Sequence, residues 1–203
     1  MPDPIDAKRR APATERNREP ILAVLTRVLP TEGLVLEISA GTGEHAAFFA
    51  NALPRLDWQP TDIGDQSLAS IAAWRAEASL PNLRAPLRLD TTEPIWPVAA
   101  AQAIVCINMV HIAPWPACEG LMDGAARTLP PGGVLFLYGP FQEGGGHTAD
   151  SNLRFDLDLR MRDPKWGVRH LEDVVRVAGA RGLVHLETVT MPANNRSVVF
   201  RKR

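Results

Sequence analysis

The chain has 203 residues, of which 45% are apolar and 22% charged, with a formal net charge of −1. That is the composition of an ordinary globular domain with room for a full core, and it offers no general attraction to nucleic acid or to anionic membranes. Two cysteines, no apolar run of about 18 residues and no signal-peptide pattern predict reduced thiols, a cytoplasmic protein and no membrane partner.

Residues 1–14 hold three prolines and the cluster Lys8-Arg9-Arg10, and are expected to form a flexible arm ahead of one domain spanning 15–203. A helix then runs through Ile21, Leu22, Leu25, Val28 and Leu29, apolar along one face, and Pro30 and Gly33 stop it. By their chemistry alone, Arg16 and Asn17 at its start are a solvated helix end.

The next stretch organises the rest. Leu34 to Ile38 reads as a buried strand, Ser39 to Gly43 as a tight turn, and Glu44 to Leu53 as a helix. Strand, glycine turn and helix form the first unit of a nucleotide-binding α/β sheet, in which the glycines let a ligand approach the backbone. Gly41-Thr42-Gly43-Glu44-His45-Ala46 fits the G-x-G-x-x-A of dinucleotide sites. Glu37, at the strand end, points to a different ligand, because a carboxylate beside a pyrophosphate is repulsive.

Leu56 to Asp62 reads as a second strand, ending in an acid about 20 residues beyond the turn, where ribose hydroxyls are held. Helix N-capping is the structural alternative for Asp62. A helix over Gln66–Ala78, with Leu68, Ile71 and Ala72 inward, and a third strand from Pro86 to Asp90 follow. Glu37, Asp62 and Asp90 thus stand at three successive strand ends, and a parallel sheet turns such ends toward one crevice. Ala103 to Ile107 is an apolar central strand that runs into Asn108, Met109 and His111, and His111 is a candidate general base. A helix from Pro114 to Leu129 leads to a fifth strand, Val134–Tyr138.

Gln142 to Asn152, with Gly144-Gly145-Gly146, reads as a long mobile loop at the ligand edge, carrying His147, Asp150 and Asn152. Helices are expected over Leu153–Arg162 and His170–Arg181. The chain closes with Leu183–Met191 and Arg196–Lys202, a hairpin around Pro192-Ala193-Asn194-Asn195. The five histidines lack metal-ligand spacing, so no metal site is expected. There is no P-loop lysine and no G-x-S-x-G.

The string Glu37-x-x-x-Gly41-x-Gly43 resembles motif I of class I S-adenosylmethionine-dependent methyltransferases, with Ser39 in place of the pattern's first glycine. Asn108 to Ile112 is similar to the N-x-L-H-H-I segment of small-molecule methyltransferases, and Leu129 to Leu135 to the turn before their fifth strand. The strings Glu15-Arg16-Asn17, Glu37 to His45, Asp150-Ser151-Asn152, Arg162-Asp163-Pro164-Lys165-Trp166-Gly167 and Met191 to Asn195 together resemble a domain-of-unknown-function family that includes methyltransferase-like protein 26.

The resemblance implies a Rossmann-like class I methyltransferase fold. This is a seven-stranded, mostly parallel sheet with an antiparallel C-terminal hairpin and helices on both faces. It implies S-adenosyl-L-methionine as cofactor, S-adenosyl-L-homocysteine as product and a small-molecule acceptor, with nucleic acid not expected and a monomer or homodimer. Glu37, Ser39, Gly41, Gly43, Asp62, Asp90, Asn108 and Met109 would then hold the cofactor. Arg16, Asn17, Tyr138, Asp150, Asn152 and Asn194 would shape the acceptor pocket, with His111 or His147 as base. A catalytically inactive cofactor-binding or partner protein, and an NAD(P)-dependent oxidoreductase, are the alternatives.

Overall fold

The computed structural model describes residues 7–203. Its sheet is built from β1 (Gly33–Ile38), β2 (Leu56–Asp62), β3 (Leu87–Arg88), β4 (Ala103–Ile107), β5 (Val134–Gly139), β9 (Leu183–Thr190) and β10 (Arg196–Lys202). A small second sheet contains β6 (Phe141–Glu143), β7 (Gly146–His147) and β8 (Arg169–His170). Among the described residues there are six α-helices, α1 (Pro12–Val28), α2 (Glu44–Ala52), α3 (Asp65–Ala78), α4 (Trp115–Thr128), α5 (Asp150–Arg162) and α6 (Leu171–Gly179), and short 3-10 turns at Met109–His111 and Pro192–Asn194. None is long and apolar enough to cross a membrane.

The large sheet has the order β3-β2-β1-β4-β5-β10-β9. Every neighbouring pair is parallel except those of β10, which runs antiparallel to both β5 and β9. The expected seven-stranded sheet with its antiparallel hairpin is therefore present. Strand alternation sends successive side chains to opposite faces. Leu36, Ile38, Cys106, Leu137 and Phe200 pack with Cys118, Leu121 and Met122 of α4 and Val174 and Val177 of α6. Val35, Val105, Phe136, Tyr138 and Val199 pack with Ile21 and Leu25 of α1 and Phe49 of α2. All five residues of β4 are buried, as a strand covered on both faces requires. The strand order reverses between β1 and β4, so their carboxyl ends open a crevice at the switch point.

Three expectations need correction. Residues 8–14 are not a free arm: α1 begins at Pro12, where proline's fixed φ suits the first helical position. The segment before it is tied down by Arg9 N donating to Ser70 Oγ (2.8 Å), Trp74 Nε1 donating to Arg9 O (2.9 Å) and Ala11 N donating to Glu44 Oε2 (3.0 Å). Lys8 pairs with Glu77 and sits 3.7 Å from the centroid of the Trp74 ring. Residues 1–6 of the expected arm lie outside the described residues.

The inner face of α3 is Ser70, Ile71 and Ala73, while Ala72 is exposed. Ser70 takes the inward place because its hydroxyl bridges Arg9 N and Thr42 O (2.7 Å). Finally, the expected loop 142–152 is largely regular. Gln142 pairs with His147 and Glu143 with Gly146 around Gly144 and Gly145, at φ 59° and 85°. Two positive φ values in a two-residue connection make a type I′ turn, which twists with its strands. The helix that follows starts at Asp150, three residues ahead of the expected Leu153.

Candidate functional site

The turn after β1 is bent by three left-handed residues, Ser39 (φ 57°), Gly41 (59°) and Gly43 (86°). Ser39 adopts without glycine a conformation that glycine adopts at no cost. A Cβ on Gly43 would lie 2.7 Å from Ile71 Cα, whereas one on Gly41 would meet nothing within 4 Å. Gly43 is thus where α2 packs on α3, and Gly41 is where the backbone is left open. Asp62 closes the turn from β2: its Oδ2 accepts Gly41 N–H at 3.0 Å and its Oδ1 accepts Gly64 N–H at 2.9 Å. The carboxylate is 6% exposed, so its first duty is to brace the turn, and each oxygen keeps one further acceptor position.

Glu37 shares the face of Val35, beneath α2, and is 1% exposed. Its Oε2 accepts the Trp58 indole N–H at 2.6 Å, and its backbone oxygen accepts Thr61 Oγ1–H at 2.8 Å. Burial pushes its pKa up to about 7, against the opposing pull of the Trp58 hydrogen bond. It supports the turn from behind.

In front of the turn lies a cleft of about 270 Å³, lined by Ser39, Ile63, Leu89, Asp90, Met109 and Ile112 among others. Its walls are mostly apolar, and Ile63 (58% exposed) and Ile112 (41%) stand at the surface. Asp90 Oδ1 accepts both the backbone N–H and the hydroxyl of Thr92, each at 2.8 Å, an Asx-type turn that fixes the carboxylate. Asn108 turns the chain at φ 64° and donates its N–H to Tyr138 O at 2.7 Å, which sets Met109 into the cleft wall.

A second polar group gathers at the ends of β5 and β10, beside α1 and α2. Asn17 Oδ1 lies 2.8 Å from His45 Nε2, and Asn17 and Asn195 stand near the Tyr138 hydroxyl. Asn152 Nδ2 donates to Asn194 O (3.0 Å) and Thr148 Oγ1 (3.0 Å), and Asn194 Nδ2 donates to Ser151 Oγ (3.2 Å). Ala193 and Asn194, at φ 56° and 60°, are left-handed in succession. Burial raises the Tyr138 pKa. Burial, with Arg18 close by, lowers that of His45 to about 4, so the imidazole is neutral. Arg16 and Asp150 are exposed on α1 and at the start of α5.

Neither histidine proposed as base lines the cleft. His111 is fully buried, edge-on to Phe141 at 4.8 Å between ring centroids. Its Nδ1 accepts Arg169 N–H at 3.4 Å, and its Nε2 has no partner. Burial, then the nearby Arg169, lowers its pKa to about 3. It braces the segment after β4, against Gly139, where a Cβ would come 2.6 Å from His111 Nε2. His147 on β7 points its Nε2 to Asp156 Oδ2 at 3.6 Å. Asp156 also accepts Val168 N–H at 2.6 Å and Arg160 Nε–H at 2.9 Å. Sequence reading passed over His45 and Asp156 as site residues. His45 had a signal, since it stands in the first turn after the glycines. The described residues contain no group of three or more His, Cys, Asp or Glu that could hold a metal ion.

This sheet order, with the hairpin inserted beside β5 and the crevice at the β1/β4 switch, is the Rossmann-like fold of the class I methyltransferases. A putative O-methyltransferase from Nostoc punctiforme superposes with a TM-score of 0.83 at 16% identity, over 97% of this chain and 58% of its own. Human N-acetylserotonin methyltransferase, solved with SAM, superposes at 0.77 and 14% identity, over 94% of this chain and 52% of its own. A putative sarcosine dimethylglycine methyltransferase from Galdieria sulphuraria superposes at 0.74 and 19%, over 98% and 90%. The chain therefore spans little more than half the length of the first two. Its own family is narrower: the model described as "Protein of unknown function (DUF938)" matches residues 8–202, and the chain belongs to that family.

Proposed function

We propose that the protein transfers a methyl group from S-adenosyl-L-methionine to an O, N or S atom of a small molecule, releasing S-adenosyl-L-homocysteine. The observation that carries this reading is the cleft at the β1/β4 switch, where apolar walls meet a fixed carboxylate, Asp90, beside an open glycine turn. That chemistry fits a planar adenine with an exocyclic amine. Ile63, Leu89 and Met109 would cover its faces and Asp90 would accept from the amine. Asp62 would take a ribose hydroxyl on its remaining acceptor positions. Ser39 and the open backbone at Gly41 would receive the amino-acid end, with Glu37 holding the turn from below.

When bound, the cofactor supplies an already electrophilic methyl group. The protein's own work is then to orient the acceptor and exclude water. We assign acceptor binding to the polar group of Asn17, Tyr138, Asn152 and Asn194, with Arg16 and Asp150 at its rim. A proton released by the acceptor leaves to solvent or to a group the acceptor brings, since His111 is enclosed and His147 faces Asp156. The C-terminal hairpin speaks against the dinucleotide alternative, whose standard sheet lacks it. We also read the family as the one that includes methyltransferase-like protein 26.

The test is thermal unfolding in parallel with S-adenosylmethionine, S-adenosylhomocysteine and NADH. Ligand at about 100 times its dissociation constant stabilises by about 2.7 kcal/mol, a shift of roughly 5–10 °C for a chain of this length. Shifts with both adenosyl ligands alone are expected. A shift with NADH alone, or with none of the three, overturns the cofactor assignment.

A further inference from the structure

The crevice wall formed by Met109 to Pro114 has a back as well as a front. Behind it lies a second cleft of about 260 Å³, between the start of α4, α5 and the start of α6, lined by Trp115, Arg160, Arg169, His170, Asp173 and Arg176 among others. Three of the lining residues are arginines and one is a carboxylate. Two arginines are paired and exposed: Arg160 Nε with Asp156 Oδ2 and Arg176 Nη2 with Asp173 Oδ1, each at 2.9 Å, with side chains 47% and 70% exposed.

Arg169 is different. It makes no ion pair with a carboxylate among the described residues, and it is held entirely by backbone carbonyls. Nε donates to Val110 O (3.0 Å), and Nη2 to Ala113 O (2.7 Å) and Lys165 O (2.8 Å). Nη1 has no partner among the described residues. The Trp115 ring stands beside it, 5.7 Å from Cζ to the centroid. A guanidinium fixed this way still carries its charge, and with Nε and Nη2 spent on carbonyls it aims the two N–H bonds of Nη1 at an oxyanion. Gln142, also in the lining, spends its amide N–H on Val168 O at 3.0 Å.

We propose that this cleft is a binding site for a phosphate-type oxyanion, free or carried by a small molecule, with Arg169 as its fixed donor and Arg160 and Arg176 closing on it from α5 and α6. The site needs no S-adenosylmethionine, so it stands or falls apart from the methyltransferase reading. Asp173 is its internal competitor, because it occupies Arg176 and sets a negative charge in the lining.

Calorimetric titration of the full chain at low ionic strength, with inorganic phosphate and with glycerol phosphate as probes, tests it. Saturable one-site binding of at least one probe is expected. Tighter binding of the ester marks a phosphate carried on a small molecule, and equal binding marks a site for the oxyanion alone. Arg176→Gln should weaken binding roughly tenfold, the worth of one charge-assisted hydrogen bond. Asp173→Asn should tighten it several-fold, an outcome that general disruption would not produce. Arg169→Lys keeps the charge, loses the carbonyl-held planar group that aims Nη1, and should abolish binding. Because Arg169 also holds Val110 and Ala113, the first two variants decide if the third fails to fold. No saturable binding of either probe, or affinities unmoved by Arg176→Gln and Asp173→Asn, would overturn the proposal.

Discussion

Gly41 and Gly43 stand in one turn, both left-handed, and they carry different loads. At Gly43 an added Cβ strikes the backbone of α3 at Ile71, on top of the φ penalty. Gly43→Ala should therefore cost about 2–4 kcal/mol of stability. At Gly41 the space is open, so Gly41→Ala should cost only the left-handed penalty, about 1–2 kcal/mol, while setting a methyl group where the ligand backbone contact is proposed. Urea unfolding of the two variants separates these roles, and equal losses would contradict them. The sequence pattern makes both glycines visible but cannot rank them, because the difference lies in what α3 presents. The same limit applied to Glu37. Its spacing to the glycines was legible, whereas its burial beneath α2 against Trp58 depends on which face of β1 it takes. The histidines were equally open, and only packing separates the enclosed His111 from His45, which bonds to Asn17.

Among the elements, β1, β4 and β5 were read closely because each is a compact, mostly apolar run, whereas the strand expected over Pro86–Asp90 shrinks to Leu87–Arg88. The errors cluster where short elements owe their form to partners. Gly144-Gly145 was read as mobility, but two glycines between pairable residues equally encode a tight turn, and β6 gains its second neighbour only from β8, far along the chain. The start of α5 depends likewise on a distant partner. Asn152, 5% exposed, ties that first turn to Asn194 O at the hairpin tip. Asn152→Ala leaves that carbonyl without its donor and should cost about 1–3 kcal/mol. Loss should be local: hydrogen exchange should quicken at residues 192–195 and in the first turn of α5 while β1 and β4 stay protected. Exchange unchanged at the tip would mean that the hairpin is held by its own turn geometry.

Across the whole molecule, residues scattered over the chain, Asn17, His45, Tyr138, Asn152 and Asn194, meet because β10 inserts between β5 and β9 and carries the tip back over α1. Family strings marked most of them as a set, but no periodicity predicts that meeting. Burying such groups couples the fold to pH. Glu37 is raised from 4.5 to about 7, so between those values the folded state holds a proton that the unfolded chain has released. Its stabilising contribution is complete below pH 4.5 and is lost as pH rises through 7. His45 and His111 are lowered from 6.5 to about 4 and about 3, so the unfolded chain gains protons that the folded one refuses. Their contribution is present above 6.5 and is lost as pH falls. From about pH 4.5 to 6.5 two histidines oppose one glutamate, and these three groups together raise stability with pH by about 1.4 kcal/mol per unit. Above 6.5 the glutamate alone remains, and their joint contribution declines. Glu37→Gln keeps an acceptor for the Trp58 N–H and removes the titration. Relative to the parent, the variant should gain about 3 kcal/mol between pH 4.5 and pH 8. Urea unfolding of both proteins across that range measures the difference directly, and parallel stability curves would mean that Glu37 ionises in the folded state as it does in the unfolded chain.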